Sequence, residues 1–210
     1  FYMEEVVDFL SKYAYFDSEE VHLNNVRILD EALKEEKGVI LVSGHFGSFH
    51  KLFVAMAKNG YKNIAGVSYK QNNREASRFF LELRKPYISN EMHKGGPSSE
   101  VKKSLQNNEI LILLSDQDAG KKGVFVNFFN KPSSTPSGAA RYNQTVGSPL
   151  IFFSMVKINN HHEANFERID TTNMSIEDTV QKYTSMLEQR IRKYPEQYFW
   201  PHKRWKTKPQ

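Results

Sequence analysis

Two histidines stand five residues apart in the stretch VILVSGHFGSFHKL, residues 39–52: His45 and His50. Imidazole titrates near neutrality, so a histidine in a turn beside open space is suited to general-base chemistry. His45 directly follows an apolar run, and Gly44 and Gly47 on either side leave room for a substrate. The plainer alternative is a histidine packed at a strand end. Ser43 and Ser48 are weaker candidates as nucleophiles, because SGHFGS does not set a serine centrally between glycines as a nucleophile elbow does. The usual helper of a catalytic histidine is a carboxylate. Asp116 and Asp118 supply two, in the polar loop DQDAGKKG, and a third polar cluster at residues 69–74 contains Tyr69, Lys70 and Arg74.

The elements that must hold these groups alternate between the two hydrophobic periods. Val26, Leu29 and Leu33 recur at helical spacing and predict a helix within residues 21–37, stopped by Gly38. Residues 39–43 form a short, β-branched apolar run, followed by a helical face of Phe49, Leu52, Phe53 and Met56 that ends at Gly60. Residues 64–69 read as a strand, 72–84 and 101–107 as helices, and 110–115 as a strand too apolar to face water on either side. Past the acidic loop come a strand in VFVNFF, a helix opened at Pro136 or Ser137 and closed by Gly147, and a buried strand in PLIFFSMVKI. A capping box at Ser175 and Asp178 then opens a last helix with Val180, Tyr183, Leu187 and Ile191 on one face. This rhythm predicts an α/β fold, one domain over residues 1–210 with a mostly parallel central sheet flanked by helices. In such sheets functional groups collect at the carboxyl ends of the strands. The clusters at 43–48, 69–74 and 116–118 all fall there.

Composition narrows the chemistry further. Of 210 residues, 39% are hydrophobic and 25% charged, which excludes both a disordered chain and a multi-span membrane protein. The absence of cysteine removes disulfides, thiol nucleophiles and cysteine-type zinc sites, and no metal or cofactor is expected. The net charge of +5 is concentrated at the end, where PHKRWKTKP holds four cationic side chains and no acid.

Several blocks, in order, carry a family resemblance. GVILVSGHFGSF, SDQDAGKKGVFVNFFNKPSSTPSGAARY, GSPLIFF and YPEQYFWPHKRWKTKP together resemble the lipid A late acyltransferases, the lauroyl and myristoyl transferases of lipopolysaccharide assembly. That family shares an HxxxxD/E motif with glycerophospholipid acyltransferases and has an N-terminal membrane helix, which this chain would lack. The resemblance implies transfer of a fatty acyl chain from an acyl carrier protein or coenzyme A thioester to a hydroxyl of a lipid A precursor or related glycolipid. It places the chain at the cytoplasmic face of a bacterial inner membrane, peripheral as this fragment. His45 takes the histidine position of the motif, the general base.

The acid position of the motif is His50, and here the chain departs from the family. A neutral imidazole cannot stabilise an imidazolium as a carboxylate does, and a charged one repels it. Three accounts stay open: a substitute acid, Asp116 or Asp118; a weakened or inactive relative that only binds lipid or membrane; or a constructed substitution. The resemblance further implies substrate-binding roles for Ser48, Tyr69, Lys70, Arg74, Arg84 and Lys94, with Lys70 where arginine is usual and so without a bidentate phosphate contact. Phe46, Phe125 and Phe128 are expected to line an acyl pocket. The tail's aromatics and cations suit an anionic membrane surface. They also suit single-stranded nucleic acid, but no nucleic-acid partner is expected because the implied substrate lies in the membrane.

Overall fold

The computed structural model describes residues 21–68 and 73–209, apart from the side chains of residues 76, 77, 80, 83 and 84. In chain order the elements are β1 (Val21–Asn24), α1 (Arg27–Leu33), β2 (Val39–Ser43), α2 (Lys51–Lys58), β3 (Ile64–Ser68), α3 (Arg74–Arg84), β4 (Asn90–His93), α4 (Ser98–Gln106) and β5 (Ile110–Leu114). There follow β6 (Val124–Phe128), β7 (Lys131–Thr135), α5 (Gly138–Val146), β8 (Leu150–Ile158), β9 (His161–Arg168) and α6 (Ile176–Lys193). Seven strands form one sheet in the order β1-β9-β8-β2-β5-β3-β4, and only the β8–β9 pair is antiparallel. The expected mixed α/β fold with a mostly parallel sheet is the fold observed.

The continuous apolar runs follow from burial on both faces of the sheet. In β2, Ile40 and Val42 join Val101 and Leu105 of α4, Ala139 and Ala140 of α5, and Val180, Leu187 and Ile191 of α6. Val39 and Leu41 point the other way, toward Leu29 and Ala32 of α1 and Leu52 and Met56 of α2. With both faces covered, all five residues of β2 are buried, so neither face had a polar alternate to offer. Gly147 closes α5 in the left-handed conformation, at φ 78°, and the Ser175–Asp178 capping box opens α6 as its sequence predicts.

Other segments differ from expectation. Residues 21–24 are a strand rather than the start of a helix: β1 pairs in parallel with β9, and Asn25, at φ 59°, breaks the chain before α1. The strand in VFVNFF does not join the central sheet. It pairs antiparallel with β7 as a separate hairpin, turned by Phe129 and Asn130, both at positive φ as a two-residue primed turn requires. β4, β7 and β9 were not anticipated, because their polar residues fit strands only once partners are in place.

Candidate active site

β2 and β5 lie side by side and in parallel, registered from Val39 opposite Ile110 to Ser43 opposite Leu114. The Ser115 amide carries the ladder one step further by donating to the Ser43 carbonyl at 2.8 Å. Each strand ends two residues before a functional side chain, so equal overshoot places His45 against Asp116. The His45 ring meets Asp116 through Nδ1, 2.7 Å from Oδ1, while the His45 backbone N–H donates to Oδ2 at 2.9 Å. Both oxygens of one carboxylate are thus held by one residue.

Two glycines make this approach possible, in a way that differs from the expected opening for substrate. A Cβ at Gly44 would lie 2.5 Å from Leu187 Cδ2 and 2.9 Å from Asp116 Cβ and Cγ, so the space beside it is already filled by the aspartate and α6. Gly47, at φ +58°, would set a Cβ 1.6 Å from the Met155 carbonyl oxygen. The turn is packed onto β8 instead of being held open.

Burial alone raises a carboxyl's pKa, but the charge and hydrogen bonds of His45 outweigh it and hold Asp116 below the ordinary carboxylate value. Asp116 is therefore an anion shielded from bulk solvent, 3% exposed at its side chain, against 21% for His45. With Nδ1 engaged as donor, the neutral imidazole keeps its lone pair on Nε2, the arrangement a general base needs. Phe49 packs edge-on against the His45 ring at 5.3 Å and Phe199 lies at 6.3 Å, which limits its tilt.

The third wall is the C-terminal segment. Gly47 N–H donates to the Gln197 carbonyl at 2.7 Å, Phe46 bridges Tyr198, and Phe199 N–H donates to the His45 carbonyl at 3.0 Å. Burial, and after it the adjacent Asp116 charge, push the Tyr198 phenol well above its usual range, so it remains a donor beside the carboxylate. The spacing of YFWPHKRW alone carried no sign that this segment reaches the site.

Asp118 is not brought to His45. Its carboxylate accepts from the Thr207 hydroxyl at 2.8 Å, the Thr207 amide at 3.2 Å and the Gly120 amide at 3.1 Å, while its own N–H donates to His202 Nε2 at 2.8 Å. Of the four tail cations, Arg204 is buried and Lys203, Lys206 and Lys208 are exposed, so the tail is in part a structural cap and not a free basic strip. Partial burial raises the Asp118 pKa, but the Thr207 and Gly120 bonds more than offset it and the net shift is downward. A depressed carboxyl stabilises fully above its unfolded value of about 3.9 and loses that contribution as pH falls through the lower folded value. His202, whose pKa burial depresses, gives up the Asp118 amide bond when it protonates, so fluorescence of Trp200 and Trp205 should show, beyond that change, a separate one below about 4 that belongs to Asp118. Asp118→Asn should show the loosened-tail signal already at pH 7.

The remaining predicted residues are dispersed. His50 is the residue before α2, with helical backbone angles, and packs its ring edge-on against Phe49 at 5.5 Å. It is not inside the helix, as expected, but at its cap. Ser48 is fully buried in the same turn. Arg74 is exposed at the start of α3, and Lys94 is exposed just past β4, its N–H donating to the Ser68 carbonyl at 2.8 Å. Both lie at the sheet end that carries His45. Arg84 ends α3, but its side chain, like Tyr69 and Lys70 entirely, lies outside the described residues. Phe46 and Phe128 are core residues, the latter stacked on Trp205, whereas Phe125 is exposed on the opposite face of β6; the three do not form one pocket. Alternation along the hairpin separates Phe125 from Phe128.

A mostly parallel sheet whose adjacent strand ends pair a partly exposed histidine with a buried aspartate defines an α/β protein with a His–Asp contact at the carboxyl end of its strands. The sequence model of the family described as bacterial lipid A biosynthesis acyltransferase matches residues 6–207, and the chain belongs to that family. A search of curated proteins gave no match to the chain. Among the described residues, no helix is long and apolar enough to cross a membrane.

Proposed function

We propose that the protein transfers a fatty acyl chain from a carrier-protein or coenzyme A thioester to a hydroxyl of a lipid A precursor or related glycolipid, with His45 as base and Asp116 as its acid partner. The observation that carries this reading is the 2.7 Å contact between His45 Nδ1 and Asp116. In the proposed step, Nε2 takes the proton of the acceptor hydroxyl as its oxygen attacks the thioester carbonyl. The tetrahedral oxyanion collapses, the C–S bond breaks, and the imidazolium returns the proton to the departing thiolate. No covalent enzyme intermediate forms. The amides of His45, Phe46 and Gly47 are already engaged with Asp116, Gly44 and Gln197. The oxyanion and the acceptor's phosphates are therefore assigned to Arg74 and Lys94, cations at this end of the sheet, and, by the family resemblance alone, to Tyr69 and Lys70.

The substitute-acid account of the departure at His50 is the one this geometry favours. His45 Nδ1 has one proton to give and Asp116 takes it, so a new carboxylate at position 50 has no ring nitrogen left to orient. His50→Glu is expected to stay within about threefold of the parent in acyl transfer, well short of the 10²-fold or more that gaining a missing general-base partner would bring. The assay offers acyl carrier protein and coenzyme A thioesters separately, with a lipid A precursor as acceptor. No turnover with either donor, in the parent and in His50→Glu alike, would leave a lipid-binding relative without catalysis.

A further inference from the structure

Against Asp116 lies a cavity of about 10 Å³, the size of one water, lined by Ser43, Ser115, Asp116, Tyr183, Thr184 and Arg204 among others. Two of these side chains bring polar atoms that no protein group satisfies. Ser43 Oγ and Arg204 Nε are both buried without a hydrogen-bond partner, on residues only 4% and 2% exposed. A buried donor left unpaired is costly, and a guanidinium cannot shed its charge to escape that cost. The rest of Arg204 is fixed in place. Nη1 donates to the Ser134 carbonyl at 2.6 Å, Nη2 donates to the Thr135 hydroxyl at 2.5 Å, and the guanidinium lies over the Phe128 ring at 5.4 Å. Each Nη atom gives one hydrogen bond to a neutral oxygen, and Nε, with its single N–H, has no protein partner beside the cavity that Asp116 also lines.

We propose that this cavity is an internal water site through which Arg204 is coupled to Asp116, making Arg204 a positioning residue for the His45–Asp116 pair. The water accepts from Arg204 Nε–H, exchanges a hydrogen bond with Ser43 Oγ and donates to the carboxylate. A fixed cation is thereby linked to a buried anion without displacing the two bonds that His45 makes to it. The groups that act on Asp116 are His45 from the loop after β2 and Tyr198, His202 and Arg204 from the C-terminal segment, with Tyr183 of α6 sharing the cavity wall and Asp118 acting on His202 and Arg204. Arg204 is the one side chain in this set that is cationic at every working pH. Its field adds to that of His45 in favouring the ionised carboxylate and lowers the proton affinity of the pair. This assignment deepens the acyltransferase reading and rests on it for its catalytic meaning, but its physical content does not need turnover.

The test is an NMR titration of the His45 ring in substrate-free protein, which reports the midpoint of the coupled pair. Removing a nearby cation makes the pair bind its proton more tightly, so Arg204→Gln is expected to raise the midpoint by about one pH unit. Arg204→Lys keeps the charge, and should move it by less than half as much even if the lost fork to Ser134 and Thr135 lowers the melting temperature. Ser43→Val fills the water's place with a methyl group and should shift the midpoint upward with Arg204 unchanged. Because Arg204→Gln could fail to fold, Ser43→Val decides the matter alone: a wild-type midpoint in that variant overturns the proposal. So does an equal shift in Arg204→Lys and Arg204→Gln, which would mark Arg204 as packing alone. A protein that shows the expected shifts but transfers no acyl group keeps the coupling and loses the acyltransferase reading.

Discussion

Replacing Asp116 by asparagine is expected to lower kcat for acyl transfer by about 10²- to 10⁴-fold, with little change in KM. The substitution is nearly isosteric, so its effect comes from hydrogen-bond polarity. Asparagine can turn its amide nitrogen toward His45 Nδ1, where it must donate. The ring proton then moves to Nε2, and the nitrogen that should receive the hydroxyl proton is already protonated. What remains cannot stabilise an imidazolium either. Steady-state kinetics alongside a thermal melt check the prediction. An Asp116→Asn enzyme within a few-fold of the parent would mean that the 2.7 Å contact to His45 is architectural.

Loss of the base itself is expected to be at least as severe. His45→Asn should reduce kcat and kcat/KM together by about 10²- to 10⁴-fold, since the proton transfer it removes occurs only in the transition state. Asparagine is preferable to alanine because its amide nitrogen can replace Nδ1 as donor to Asp116, which would otherwise sit buried with its main partner gone. The two losses should not add. If His45 and Asp116 act as one unit, the double variant should be no slower than His45→Asn alone, and a multiplicative loss would show that they act in separate steps.

These experiments separate Asp116 from Asp118, a distinction the sequence could not make. Both aspartates stand in one loop, two residues apart, and either could have faced the base. The choice is made by the overshoot past β5 and by Thr207, far along the chain, which claims Asp118. His45 was legible because its determinants are local: an all-buried strand, a glycine and a turn. β2, α5 and α6 were legible for the same reason, each carrying its own period and stop signal. β9 was missed although HHEANFER alternates, with His162, Ala164 and Phe166 buried between more exposed residues. Its polar partners at every second position resembled a loop, and β8 was needed to satisfy the backbone. The tail was legible in part, as a run of exposed cations, Lys203, Lys206 and Lys208. Its composition matches an interfacial strip, yet Arg204 turns inward because Ser134, Thr135 and Phe128 form a place for it.

The docking of the tail also sets an order of events in the life of the chain. Asp118 closes on His202 and Thr207 across 84 and 89 residues of sequence, and the loop of His45 is clamped by residues 197–199. These contacts wait on residues 197–207, which are made after every strand of the sheet, the last of which ends at Arg168. A nascent chain with its sheet already built would still lack one wall of the His–Asp site until residues 197–207 had left the ribosome. Any chemistry at that site would be withheld during synthesis, and a chain that stopped short of residue 197 would carry every strand of the sheet around an unfinished centre.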